Sequence, residues 1–215
     1  MGIEHFELLV EEPSIEVTLR ILLPKILKEC SFDIHLYQDK NNLLKRLPDR
    51  LRGYSKWIPR NWRIVVIVDR DNADCKELKN QLERIALEAG LRTRTSTQGY
   101  EWTVVNRIAE EELEAWYFGD WEAVQKAYPK VAPTIPNKAR YRNPDNIRGG
   151  TWEALERILQ RAGYFTDGLR KIENAKAIAQ YMIPERNKSR SFQVFLSALR
   201  EPTKPWPETL FPETV

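Results

Sequence analysis

Cysteine and histidine are scarce in this chain of 215 residues, with two of each. Cys30 and Cys75 form no CxxC pair and have no histidine cluster beside them, so no zinc site is expected. His5 and His35 read as structural side chains rather than catalytic ones. No Walker loop and no GxGxxG run occurs, which counts against ATP hydrolysis and dinucleotide redox chemistry. No stretch approaches the roughly 20 apolar residues that a membrane span needs. The N-terminus, Met-Gly-Ile-Glu-His, also lacks the basic and apolar regions of a signal peptide. A cytoplasmic protein without membrane contact is the expectation. Internal repeats and low-complexity tracts are absent, and a net charge of +3 is too small to establish nucleic-acid binding by itself.

What is present is an ordinary globular composition, 42% hydrophobic and 30% charged, long enough to bury a substantial core. Its organising stretch is residues 62–74, Trp-Arg-Ile-Val-Val-Ile-Val-Asp-Arg-Asp-Asn-Ala-Asp. The five consecutive β-branched residues from Ile64 to Val68 leave no polar position for a solvated face. They read as a strand buried on both sides of a mostly parallel α/β sheet. Asp69 and Asp71 then fall at its carboxyl end, where such sheets place their ligand sites. Two carboxylates so close repel one another unless a divalent cation, a basic group or a raised pKa intervenes. Asp74, farther on, reads as a favourable charge at a helix start.

Along the chain, Phe6–Val10 predicts a first strand, with Ser14 as N-cap of a helix over residues 15–28 that Pro24 kinks or breaks. A strand at Phe32–Tyr37 and a basic helix near Asn41–Gly53 follow. After the central strand come a helix at Ala73–Ala89 closed by Gly90, strands at Arg92–Ser96 and Trp102–Ile108, and a short helix over residues 109–117. The proline- and arginine-rich stretch 129–150 separates an α/β core, residues 1–128, from a helical extension, residues 151–201, packed on it. Three helices are expected there, Trp152–Arg161, Leu169–Met182 and Ser191–Leu199, before a proline-rich tail over 202–215.

Three acidic positions are thereby comparable: Glu11 after the first strand, the Asp69/Asp71 pair after the central strand, and Glu114 on a helix following another strand. Hard cations such as Mg²⁺ or Mn²⁺ prefer oxygen ligands, so this set suits them better than any Cys or His grouping. Bound there, such an ion activates water and neutralises charge on a phosphoryl group without a histidine base. Basic residues cluster over 40–63, 138–148 and 185–200. Arg140, Arg142 and Arg148 in the connector, with Lys188 and Arg190 near the last helix, are candidates for phosphate contacts. Trp102, Trp116 and Tyr117 could stack on bases, although core packing is the commoner fate of such rings.

The sequence Leu9-Val10-Glu11 with Pro13-Ser14, followed by a hydrophobic strand and Asp69-x-Asp71, resembles the TOPRIM domain of type IA and II topoisomerases, DnaG-type primases and OLD-family nucleases. Three further blocks resemble a bacterial TOPRIM-like family of unknown function more closely. They are Asp69-Arg-Asp71-Asn-Ala-Asp74-Cys75, the run from Glu112 to Asp120, and Asn187-Lys-Ser-Arg-Ser-Phe192. Members of that family are often encoded beside an ABC-type ATPase in phage-defence operons. The resemblance implies that Glu11 is a metal ligand or general acid/base, that Asp69 and Asp71 bind metal, and that Glu114 completes the set. It departs at Glu12, where TOPRIM motifs carry glycine, and at Ile15, where they carry an acid, with Glu16 next door. The implied activity is metal-dependent cleavage of nucleic acid, DNA in preference to RNA, under control of an ATPase partner. The alternatives are a non-catalytic TOPRIM-fold subunit that binds nucleic acid or a partner, and a nucleotide phosphotransferase, for which no nucleotide loop is present.

Overall fold

The computed structural model describes residues 2–70, 74–109 and 113–200. Asp71, Ala73 and the tail from residue 201 therefore lie outside the described residues. The β-branched run forms the strand expected of it. It is labelled β3 (Trp62–Asp69), and Ile64 through Val68 are each at most 1% exposed. Beside it stand β1 (His5–Val10), β2 (Ser31–Leu36) and β4 (Val104–Ala109), all parallel, in the order β2-β1-β3-β4. The crossovers are α1 (Pro13–Leu27), α2 (Lys40–Tyr54) and α3 (Cys75–Glu88). After β4 come α4 (Glu114–Gly119), α5 (Trp121–Ala127), α6 (Thr151–Arg161), α7 (Lys171–Ala179) and α8 (Arg190–Arg200). The chain is thus an α/β protein with a parallel, Rossmann-like sheet flanked by helices.

Strand alternation sends side chains to two separate cores. On one face Leu9, Ile64, Val66 and Val68 meet Leu43, Leu47 and Leu51 of α2 and Leu78 and Leu82 of α3. On the other, Phe6, Leu8, Val10, Val65 and Ile67 meet the apolar stripe of α1 and a continuous cluster reaching Leu199 in α8. Helix α1 lies against α7 and α8, so the last third of the chain packs on the first. Lys25 fixes this contact, its Nζ donating to the carbonyls of Ala179, Gln180 and Met182 at 3.1, 2.8 and 3.1 Å. The first two carbonyls close α7, where helices leave acceptors unmet, and the third lies just past it.

Four local expectations fail in whole or in part. Residues 92–96 make only a single bridge, Thr93 to Val104, because Thr93 and Ser96 side chains bond the neighbouring backbone and turn the chain. Pro24 does not break α1, whose buried side chains Leu22, Leu23, Ile26 and Leu27 continue past it into the core. Ser14 is not the cap. The helix opens one residue earlier at Pro13, where a missing N–H does no harm, and Ser14 Oγ donates to the Glu12 carboxylate. Residue 109 stays in a strand because Ala109 pairs with Asp69, and the next described helix is Glu114–Gly119. Asp74 caps α3, accepting from the N–H groups of Lys76 and Glu77. Among the described residues no helix is long and apolar enough to cross a membrane.

Candidate functional site

The strand order determines where a ligand can enter. From β1 the chain moves outward to β2, then crosses to the other side for β3 and β4, so its direction reverses between β1 and β3. At such a switch the loops leave in opposite directions and open a crevice above the carboxyl ends. Glu11 is the first residue beyond β1 and Asp69 the last of β3. Because Val10 pairs with Ile67, the two acids emerge side by side at that crevice. The Asp69 backbone N–H donates to Glu11 Oε1 at 2.5 Å. Glu11 is 5% exposed and Asp69 7%.

Glu114 enters from the neighbouring strand. β4 ends opposite Asp69, and Glu114 opens α4 almost fully buried. Beneath it Tyr117 is buried, its hydroxyl 2.8 Å from Thr18 Oγ1 of α1. Burial first, and then the negative charge of Glu114, with smaller contributions from Glu12 and Asp69, raise this phenol well above its ordinary value. Tyr117 therefore stays neutral, and carboxylates from three segments act on one buried hydroxyl. Asp71, the fourth acid of the expected set, lies outside the described residues.

Two lysines that the sequence did not single out lie close by. Lys40, the first residue of α2, donates from Nζ to the carbonyls of Asp69 and Arg70 at 2.8 and 3.0 Å. Lys171, at the start of α7, places Nζ 3.7 Å from Glu12 Oε2 and 5.1 Å from the centre of the Trp152 ring. A usable signal existed for Lys40. In a parallel sheet the helix that follows a strand starts at the carboxyl edge, so a lysine next to the Asp39 cap of α2 must stand near that edge.

The basic candidates occupy a different arrangement. Arg140, Arg142, Arg148, Lys188 and Arg190 are all exposed. Asp145 joins the connector to the start of α8, accepting from the Arg190 and Ser191 N–H groups and from the Ser189 and Ser191 hydroxyls. Trp102, Trp116 and Tyr117 are core residues, each at most 2% exposed.

The late Asn187–Phe192 block clamps α4. Asn187 Nδ2 donates to the Trp116 carbonyl at 2.8 Å, the Lys188 N–H to the Gly119 carbonyl at 2.9 Å, and Trp116 Nε1 to Ser191 Oγ at 3.2 Å. Arg186 grips the buried Asp120 carboxylate through Nε at 2.7 Å and Nη2 at 3.1 Å. Residues some seventy positions downstream thus hold the helix that carries Glu114. Glu11, Asp69 and Glu114 are buried and offer only oxygen, the donor type of a hard divalent cation, but among the described residues only His5, Glu7 and Asp33 bring three candidate ligand atoms within 4.8 Å of one another.

Comparison with known proteins adds a family. The profile of a domain of unknown function, DUF4276, matches residues 10–200. The chain belongs to that family. The DUF4276 match contains Glu11, Asp69, Glu114 and the Asn187–Phe192 clamp. Among solved structures, the chain is similar to the C-terminal region of the OLD protein of Xanthomonas campestris pv. campestris. The two share 15% identity with a TM-score of 0.43, over 91% of this chain and 94% of that one. No curated protein matches.

Proposed function

We propose that the chain is a divalent-metal-dependent nuclease of TOPRIM type that hydrolyses nucleic-acid phosphodiester bonds. The observation that supports this reading most directly is the pairing of Glu11 with Asp69 at the switch between β1 and β3. Glu11, Asp69, Asp71 and Glu114 would hold Mg²⁺ or Mn²⁺, which supplies an activated water and neutralises phosphoryl charge. The Asp69 N–H orients the Glu11 carboxylate before substrate arrives, so little reorganisation is left to the reaction. Lys40 and Lys171 bring positive charge beside the acids, as a polyanionic substrate requires. The exposed arginines around Asp145 extend that charge toward the flanking backbone phosphates. By the family resemblance, an ABC-type ATPase would control the activity in phage defence.

Purified protein incubated with Mn²⁺ and labelled DNA or RNA tests the assignment. Cleavage should fall about 10²–10⁴-fold in Asp69→Ala and Glu11→Gln, the usual worth of a positioned acid or base. Wild-type rates in both variants, or cleavage that persists in EDTA, would sink it. A non-catalytic reading has one observation in its favour: Glu12, in place of a glycine, is engaged with Ser14 and Lys171. Nucleic-acid binding unaffected by EDTA, with no cleavage either alone or beside the ATPase, would favour that second reading.

A further inference from the structure

We propose that His5, Glu7 and Asp33 form a second cation site, suited to a zinc-class transition ion, at the end of the sheet remote from Glu11 and Asp69. The register of β1 on β2 pairs His5 with Ser31 and Glu7 with Asp33, so all four side chains leave the same face in two adjacent rows. His5 Nδ1 lies 2.7 Å from Ser31 Oγ, and Ser31 gives its single hydroxyl proton to the Glu4 carbonyl at 3.2 Å. With that proton on the Glu4 carbonyl, Ser31 accepts from a protonated Nδ1, and the lone pair of the neutral ring stands on Nε2. That nitrogen is 3.7 Å from Glu7 Oε1 and 3.7 Å from Asp33 Oδ2, on a side chain only 8% exposed. Among the described residues it has no hydrogen-bond partner.

A buried lone pair aimed at two carboxylate oxygens is repulsive as it stands. At 3.7 Å neither carboxylate oxygen makes a hydrogen bond to Nε2. A metal ion accounts for the spacing. With bonds near 2.0–2.2 Å and tetrahedral angles, its donor atoms stand roughly 3.4 Å apart, about 0.3 Å closer than either carboxylate oxygen stands to Nε2. All three donor atoms lie within 4.8 Å of one another. The Nδ1–H bond to an oxygen is the outer support that metal-bound imidazoles require. Glu7 is held from its other side by His35 Nε2 at 2.5 Å and the Tyr54 hydroxyl at 2.9 Å, both on Oε2, which leaves Oε1 directed at His5. An imidazole with two carboxylates selects Zn²⁺, Co²⁺ or Ni²⁺ over Mg²⁺ or Ca²⁺. Asp33, 69% exposed, provides the entry path. Four to six strand residues separate the site from Glu11, roughly 13–20 Å, so it stands independently of the nuclease reading. Its effect is to fasten the edge strand β2 to β1.

The full chain, stripped with EDTA and titrated with Zn²⁺ alone by calorimetry, tests the site. One tight equivalent that survives Asp69→Asn is expected, with its affinity reduced at least about 100-fold in Asp33→Ala and about 10–100-fold in Ser31→Ala. Asp33 is exposed, so its variant should fold, which circular dichroism checks. The Trp62 ring is 4.0 Å from His5, so Co²⁺ should quench indole fluorescence in the wild type and not in Asp33→Ala. No tight Zn²⁺ equivalent, affinity equal in Asp33→Ala and wild type, or loss confined to Asp69→Asn would overturn the proposal.

Discussion

Replacing Gly119 with alanine adds one methyl group where the clamp on α4 leaves no room. The new Cβ would stand 2.1 Å from Asn187 Oδ1, 2.7 Å from the Ser189 backbone nitrogen and 2.9 Å from Ser189 Cβ. A side-chain amide could swing aside in a looser setting. Here Asn187 is buried, donates to the Trp116 carbonyl and accepts from the Ser189 N–H, and the second obstacle is itself backbone. Overpacking of this kind costs about 1–3 kcal/mol. A buried hydrogen bond left unmade costs about 1–3 kcal/mol more, so Gly119→Ala should lose about 2–6 kcal/mol. At about 2–4 °C per kcal/mol for a chain of this size, Tm should fall by roughly 4–24 °C. Urea unfolding followed by circular dichroism measures the change, and Gly53→Ala supplies the control. A Cβ at Gly53, inside α2, meets nothing within 4 Å, so the same substitution there should stabilise by about 0.5–1 kcal/mol. If Gly119→Ala stays within about 0.5 kcal/mol of wild type, the range of an inconsequential surface change, the close approach of the clamp to α4 is wrong.

Arg186→Met should destabilise by about 3 kcal/mol, the lower end for a broken buried pair because the guanidinium is partly exposed. Adding Asp120→Asn should recover part of that loss in a urea double-mutant cycle. Tyr117→Phe removes the buried bond to Thr18 and should cost about 1–2 kcal/mol in the same assay. For Glu83, burial opposes ionisation, but hydrogen bonds from Lys79, Thr93 and Asn106 outweigh it and hold the carboxyl below the usual range. Its ionised form therefore stabilises the fold fully above the ordinary glutamate pKa of about 4.3, and this stability is lost as pH falls through the lowered folded value. The stability gap between wild type and Glu83→Gln should accordingly close on acidification, as urea midpoints taken between neutral and acid pH would show.

The parts of the fold that were legible are those where one physical demand dominates. Ile64 to Val68 could only be a doubly buried strand, and the position of Asp69 at its end followed directly. The Glu11–Asp69 pairing was readable because parallel strands deliver all their carboxyl ends to one edge. Residues 92–96 were misread because hydroxyl groups of Thr93 and Ser96 compete for the backbone, a contest that β-branched content does not reveal. The start of α4 was placed too early because pairing with β3 holds residue 109 in the strand against helical preference. His5, Glu7 and Asp33 have no motif spacing, and they meet only through the register of β1 on β2. Asn187–Phe192 was noticed as a block, yet its work, gripping Trp116 and Gly119, is a contact between distant segments that local pattern does not encode.

The dependence of α4 on residues 186–192 also sets an order of events during synthesis. Glu114 leaves the ribosome some seventy residues before the segment that holds its helix. At about 5–20 residues per second, that is a delay of roughly 4–15 s. A nascent or prematurely ended chain carries Glu11 and Asp69 without the clamp that seats Glu114. The helix that opens with Glu114 is therefore seated last, and only a chain made through to the start of α8 holds it in place.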